Sequence, residues 1–176
     1  VYAQTKLEAE HYLKDKNAII FRLGTLFGLG DNYSRIRLDL VVNTLTARAV
    51  SEGKLTVFGG EQYRPLLHVK DAARAIVQGL GSKETGVFNL HKENIRILDL
   101  AHTIQNYVSC EVEIVETTFE DSRNYKAISS KARQLLGFKP GLDMEDGIVE
   151  VAKVMERIKN PNNSRYSNEG FLNENN

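Results

Sequence analysis

Cysteine is almost missing from this chain. Its single Cys110 excludes an internal disulfide and any cysteine-based zinc site, and it is consistent with a reducing, cytoplasmic setting. Net charge is missing too, because 23 basic residues cancel 23 acidic ones. No basic excess points to nucleic acid, and no block of like charge points to a membrane surface. Long apolar runs are absent, and those present are far too short to span a bilayer. No signal peptide and no internal repeat can be read, and the chain is expected to be a truncated piece of a longer protein. What remains is ordinary for a soluble globular protein: 176 residues, 41% apolar and 26% charged, enough for one domain and its core.

Strand-like and helix-like segments alternate. Residues 3–15 have helical character. Ala18 to Leu23 is a near-continuous apolar run, the pattern of a parallel strand buried on both faces. Gly24, Gly28 and Gly30 then suggest a flexible loop. A helix is expected from Asp39 to Val50 with Gly53 as its C-cap, followed by a strand from Lys54 to Phe58. Pro65 to Val69 reads as extended. Asp71 reads as the N-cap of an Ala-rich helix ending at Leu80. Strands at 86–90 and 112–115 and helices at 99–108, 129–136 and 143–158 complete the pattern. The tail from Asn160, rich in Asn and Ser, is expected to be mobile. The alternation argues for an α/β domain.

The chain opens on Val1-Tyr-Ala-Gln-Thr-Lys6. On a helix, positions i and i+4 share a face, so Tyr2 and Lys6 would set a phenol beside an ammonium. A neighbouring cation favours a phenolate over a phenol, and a phenol tuned towards neutral pH is a usable general acid or base. By itself the motif recurs by chance in many helices, and alone it reads as a solvated lysine near a half-buried tyrosine.

Further short stretches follow in order: Arg22-Leu-Gly-Thr-Leu-Phe-Gly28, Val57-Phe-Gly59, Arg64-Pro-Leu-Leu-His-Val-Lys-Asp-Ala-Ala-Arg74, Asp121-Ser-Arg-Asn-Tyr125, Lys131-Ala and Leu136-Gly-Phe, and Asp146-Gly-Ile148. Together with Tyr2-x-x-x-Lys6 their order and spacing resemble the C-terminal portion of an extended short-chain dehydrogenase/reductase of the NAD-dependent nucleotide-sugar epimerase/dehydratase family, over about residues 1–155. The resemblance implies the end of a Rossmann-type doubly wound sheet, followed by the smaller α/β substrate domain. Residues 1–30 would close the dinucleotide-binding domain. Residues 31–159 would mainly form the sugar-nucleotide domain, with Pro65 to Leu90 returning to the Rossmann sheet, and 160–176 a flexible tail.

The resemblance also implies roles. Tyr2 would be the acid/base, and Lys6 would tune it and hydrogen-bond the nicotinamide ribose. Gly24 would meet the cofactor through its backbone. Thr25 stands where the family often has Asn against substrate, Asn43 is a further substrate contact, and Arg64 and Arg123 would grip the diphosphate. A guanidinium fork matches phosphate oxygens bidentately. Pro65 departs from the Asp that the family often places beside that arginine. The cofactor would be NAD or NADP, although the family's Gly-rich phosphate loop and the Ser/Thr partner of the catalytic tyrosine would lie upstream of Tyr2. Gly24–Gly30 is no substitute, since no helix opens directly on it. The partner would be a nucleoside-diphosphate sugar, and the parent protein a cytoplasmic homodimer joined through the Tyr2–Lys6 helix, which leaves apolar surface around Leu7 and Leu13 exposed here.

His68 is expected to pack beside its strand rather than act in catalysis. His11, His91 and His102 show no metal-ligand spacing, and Cys110 is expected to be a small buried apolar residue. Two other readings remain. One is a non-catalytic sugar-nucleotide-binding module or fold remnant. The other is a reductase of small ketones, against which a pair of phosphate-gripping arginines argues.

Overall fold

A computed structural model describes residues 1–31, 34–116 and 124–174. The elements run α1 (Tyr2–Leu13), β1 (Ile19–Leu23), β2 (Thr25–Phe27), α2 (Val41–Glu52), β3 (Lys54–Phe58), β4 (Tyr63–His68), α3 (Val69–Leu80), β5 (Gly86–Leu90), β6 (Glu93–Arg96), α4 (Ile97–Tyr107), β7 (Glu111–Val115), α5 (Ser130–Leu135), α6 (Met144–Met155), a 3-10 turn (Ser164–Tyr166) and α7 (Asn168–Glu174). This is an α/β fold. Its strands divide into three small sheets among the described residues: β1–β5, β2–β4–β6 and β3–β7. All pairings are parallel except β4 with β6.

The helices α2, α3, α4 and α6 each bury one face against the core. On α2 that face includes Val42, Leu45 and Ala49. Gly53 ends the helix with φ 65°, its N–H donating to Ala49 O, as expected of a C-cap. α6 opens with a capping box in which Asp143 and Asp146 satisfy each other's backbone N–H groups, and it stops at Met155, three residues before the expected end. Gly147 lets α6 press onto β2, because a Cβ there would lie 2.4 Å from Phe27 Cδ2.

The largest core cluster joins Phe27, Val42, Leu45, Leu55, Leu66, Leu100, Ile104 and Ile148 between α2, α4, α6 and the strands. A second packs Leu67, Ala72, Phe88 and Phe138 between α3, α5 and β4–β5. Complete burial of each such large side chain stabilises the fold by about 2 kcal/mol. Cys110 packs at the margin of the first cluster and is only part-buried; burial pushes its thiol pKa up, which makes it a poor nucleophile.

Several expectations needed correction. The glycine-rich stretch after β1 is not simply loop, because Thr25–Phe27 stays extended and pairs with Leu66–His68. β1 is not buried on both faces: Ile19 to Phe21 are half-buried and Leu23 is 39% exposed. Its α3 side is close-packed, with Gly79 against Phe21. Its other side meets α1, which has no buried residue. Asp71 is not the N-cap of α3. His68 holds that position and its side chain accepts from Lys70 N–H, while Asp71 sits inside the first turn. The tail carries two short helical elements. Arg35 holds them, donating to Ser167 O at 2.8 Å and stacking on Phe171 at 4.6 Å.

Of the apolar residues expected on the surface of α1, Leu7 is 61% exposed and Leu13 is half-buried. α1 is tied to β1 by Glu10 and Arg22, whose Nε–Oε1 and Nη2–Oε2 distances are 2.8 and 2.5 Å. Among the described residues no helix is long and apolar enough to cross a membrane, and no group of three or more His, Cys, Asp or Glu could hold a metal ion.

Candidate functional site

Tyr2 and Lys6 lie side by side on the first turns of α1, with Lys6 Nζ 5.5 Å from the Tyr2 ring centroid. The tyrosine is 77% exposed, so phenol and ammonium both face solvent. Helical spacing alone produces this juxtaposition. Further along the helix, between the Leu7–Lys14 part of the chain and the β1–β5 pair, lies an open pocket of about 280 Å³ lined by Leu7, Glu10, His11, Lys14, Ile20, Gly86 and Val87.

Gly24 stands where the chain leaves β1 for β2 and changes sheets. Its N–H donates to Leu90 O at 2.7 Å, and an added Cβ would lie 2.9 Å from Pro65 O and 3.3 Å from His91 Cβ. Only glycine permits that approach. Thr25 then pairs opposite Leu66, two residues beyond Arg64. Gly24, Thr25 and Arg64 therefore come together at one end of the β2–β4–β6 sheet, where the parallel strands β2 and β4 begin. Arg64 is 7% exposed. Its guanidinium donates to Tyr63 O at 2.9 Å and lies 6.0 Å from the Tyr125 ring. Arg123, the other expected phosphate contact, and Asp121 beside it lie outside the described residues.

Asn43 is fully buried and used by the backbone. Its Oδ1 accepts from Gly28 N–H at 2.9 Å, and its Nδ2 donates to Gly28 O at 3.1 Å and Arg37 O at 2.8 Å. Both amide hydrogens are thus committed to holding the loop after β2 against α2.

His68 is also fully buried. Since Nδ1 accepts from Lys70 N–H, the ring proton belongs on Nε2, which faces Glu150 Oε2 at 3.1 Å. That carboxylate also accepts from Leu29 N–H at 2.9 Å and pairs with Lys70. The cluster locks β4, α3, α6 and the Gly28–Leu29 turn together. Asp71 does similar work on the other side of α3: Oδ1 accepts from Arg74, and Oδ2 accepts from Gly141 N–H at 2.9 Å and Leu142 N–H at 2.8 Å.

Burial is the main force pushing His68 below its ordinary 6.5, and Glu150 opposes it without prevailing. Burial, then the charge of Arg133, depresses His91 as well. For Glu150, burial alone would raise the carboxyl, but the Lys70 bond, the Leu29 amide and His68 together bring it below 4.5. A histidine whose folded value is depressed stabilises fully above its unfolded value. As pH falls, the unfolded chain takes up the proton first, and stability declines until the folded value is passed. The urea midpoint should therefore be level above about pH 7 and fall steadily below about 6.5, with Glu150 adding a further loss only below about 4.5. A midpoint unchanged between about pH 7 and 5 would contradict this account of the two buried rings.

The sequence reading did not single out Asn94, Ser129, Glu150 or Lys70. Each acts on a residue more than thirty positions away, so no local pattern could mark it.

Residues 1–90 match the NAD dependent epimerase/dehydratase family. The chain is 27% identical over 154 residues to UDP-glucuronic acid decarboxylase 3 of Arabidopsis thaliana, covering 84% of this chain and 45% of that protein. It is similar to the solved structure of UDP-glucuronic acid 4-epimerase from Bacillus cereus in complex with UDP-glucuronic acid and NAD, with 26% identity, a TM-score of 0.69, and coverage of 89% of this chain and 52% of that one. ADP-L-glycero-D-manno-heptose-6-epimerase of Helicobacter pylori shares the fold at a TM-score of 0.73 and 18% identity, over 89% of this chain and 51% of that one. The chain thus spans about half the length of the relatives it matches. With 90 of its 176 residues matched, and the α/β fold of these enzymes reproduced over most of its length, this chain belongs to the NAD-dependent epimerase/dehydratase family.

Proposed function

We propose that these residues form the catalytic-tyrosine and substrate-side portion of an NAD(P)-dependent epimerase or dehydratase acting on a nucleoside-diphosphate sugar. The observation that carries this reading is the meeting of Gly24, Thr25 and Arg64 where β2 and β4 begin, in a chain whose first helix sets Tyr2 beside Lys6. Tyr2 Oη accepts a proton from a sugar hydroxyl and Lys6 favours the phenolate that does so. Arg64, with Arg123, pairs the diphosphate. Thr25 lies at the same end of the sheet as Arg64 and faces the sugar.

NAD(P), when bound, supplies the hydride chemistry. The residues fit only its nicotinamide end: Tyr2 and Lys6 are exposed and adjacent, and Gly24 offers backbone. No G-x-G-x-x-G run for the pyrophosphate occurs in the 176 residues. Gly24, Tyr2 and Lys6 are the residues that would hold the group. Pairing of two copies through α1 belongs to the same reading and is supported by exposed Leu7 and Tyr12 on that helix.

A binding module without catalysis is the second reading, favoured by the full exposure of Tyr2 on a helix that buries nothing. Titration calorimetry of the 176-residue chain with UDP, dTDP, GDP and CDP, and with NAD and NADP, tests both. One nucleoside diphosphate should bind, neither dinucleotide should bind, and no sugar nucleotide should turn over with added NAD. Tight dinucleotide binding, or turnover at rates of about 1 s⁻¹ or more, would sink the view that these residues lack the cofactor half of the site.

A further inference from the structure

Residues 124–129 form neither helix nor strand, yet they are laced to the sheet that carries Arg64. Asn94, on β6, stands opposite Pro65, whose carbonyl abuts Gly24. Its carboxamide bonds Ala127 as a neighbouring strand would: Oδ1 accepts from Ala127 N–H at 2.8 Å, and Nδ2 donates to Ala127 O at 3.0 Å. The second Nδ2 hydrogen goes to His91 Nε2 at 3.1 Å. Turning the carboxamide over would forfeit both bonds to Ala127, so its orientation is dictated by that backbone. His91 Nε2 must then accept, and the ring proton on Nδ1 faces Ser129 Oγ, which also accepts from His91 N–H at 2.9 Å. Asn124 Oδ1 adds a bond from Tyr63 N–H at 3.0 Å. The strap held in this way sets Tyr125 beside the Arg64 guanidinium and places Lys126 Nζ 3.7 Å from the Tyr63 ring centroid.

We propose that Asn94 is a positioning residue of the substrate site: it fastens the 124–129 strap to β6 and, through Tyr125, orients Arg64 for a diphosphate. The inference rests on the reading of Arg64 given above. Without Asn94 the strap keeps its hydrogen bonds at Asn124, Ile128 and Ser129 but loses both bonds at Ala127, and Tyr125 no longer restricts the guanidinium. Preorganisation of that kind governs affinity more than fold stability.

The test titrates UDP, dTDP, GDP and CDP into wild type, Asn94→Ala, Asn94→Asp, Tyr125→Leu and the Asn94→Ala/Tyr125→Leu double variant, well below their thermal midpoints. Asn94→Asp is nearly isosteric and keeps acceptance from Ala127 N–H, but it sets an oxygen against Ala127 O; it therefore provides a folded variant should the alanine fail. The bound nucleotide should weaken about tenfold in both Asn94 variants, Ala127 amide exchange should quicken, and the double variant should bind about as Tyr125→Leu alone. A purely structural role would lower the midpoint without this non-additivity in affinity. Affinities equal to wild type, or effects of the two sites that simply add, would overturn the proposal while leaving the diphosphate reading intact. Failure of wild type to bind any of the four would remove that reading and the proposal with it.

Discussion

Gly28→Ala should destabilise the protein by about 4 kcal/mol, most of the stability of a domain at the lower end of the usual range of about 5–15 kcal/mol. Two effects combine. Gly28 has φ 78°, a conformation that an L side chain adopts only at a cost of about 1 kcal/mol. The added methyl would also lie 2.1 Å from His68 Nε2 and 2.6 Å from its Cδ2. That ring has nowhere to go: it is fully buried, edge-on to Phe27 at 5.1 Å, and bonded to Glu150 and Lys70 N–H. The backbone must yield, and with it go the bonds that join Gly28 N–H and C=O to Asn43. Gly53→Ala provides the control. It has nearly the same φ of 65°, but nothing stands within 4 Å of its Cβ, so it should show the backbone cost alone, about 1 kcal/mol. Urea unfolding of both variants checks the difference; equal losses would mean that His68 is not the immovable neighbour described here.

Asp71→Ala should lose about 3 kcal/mol. The carboxylate is 1% exposed, and it is the acceptor for two consecutive backbone N–H groups, at Gly141 and Leu142, just before α6 begins. Removing it strands those donors and loosens the start of α6 from α3. The Arg74 bond matters less, because its guanidinium is 59% exposed and water can replace the partner. Asp71→Asn separates the two contributions. By turning its amide towards Arg74 it can still accept from the Gly141–Leu142 pair, so it should lose about half as much. A loss in Asp71→Asn as large as in Asp71→Ala would show that the charge on Arg74, not the amide pair, carries the effect.

Local chemistry was legible where it depends on neighbours in sequence. The pairing of Tyr2 with Lys6 follows from helical spacing, and the end of α2 from Gly53. The long helices were anticipated within a few residues because their apolar stripes repeat. β2 and β6 were not anticipated. Each is only three or four residues long and exists because β4 lies between them. A strand that short has no periodicity to read, and its stability comes from its partners.

The same reason explains Asp71 and Asn43. Each is a residue type suited to a cap or to a ligand contact, and in isolation either role is plausible. Asp71 instead binds residues 70 and 71 positions away, and Asn43 closes a loop 15 residues back. A side chain's hydrogen-bond capacity is known from its chemistry, but which partner takes it depends on what the fold brings near.

By itself the sequence determined the α/β alternation, the Tyr2–Lys6 pair and membership of the NAD-dependent epimerase/dehydratase family, because helical period, residue chemistry and ordered motifs survive without coordinates. Only the tertiary structure decided that Gly24, Thr25 and Arg64 meet where β2 and β4 begin, that His68 and Asp71 act as buried fasteners, and that Asn94 holds the strap bearing Tyr125. Those contacts join residues far apart along the chain, and the burial that makes them strong exists only once the core has closed.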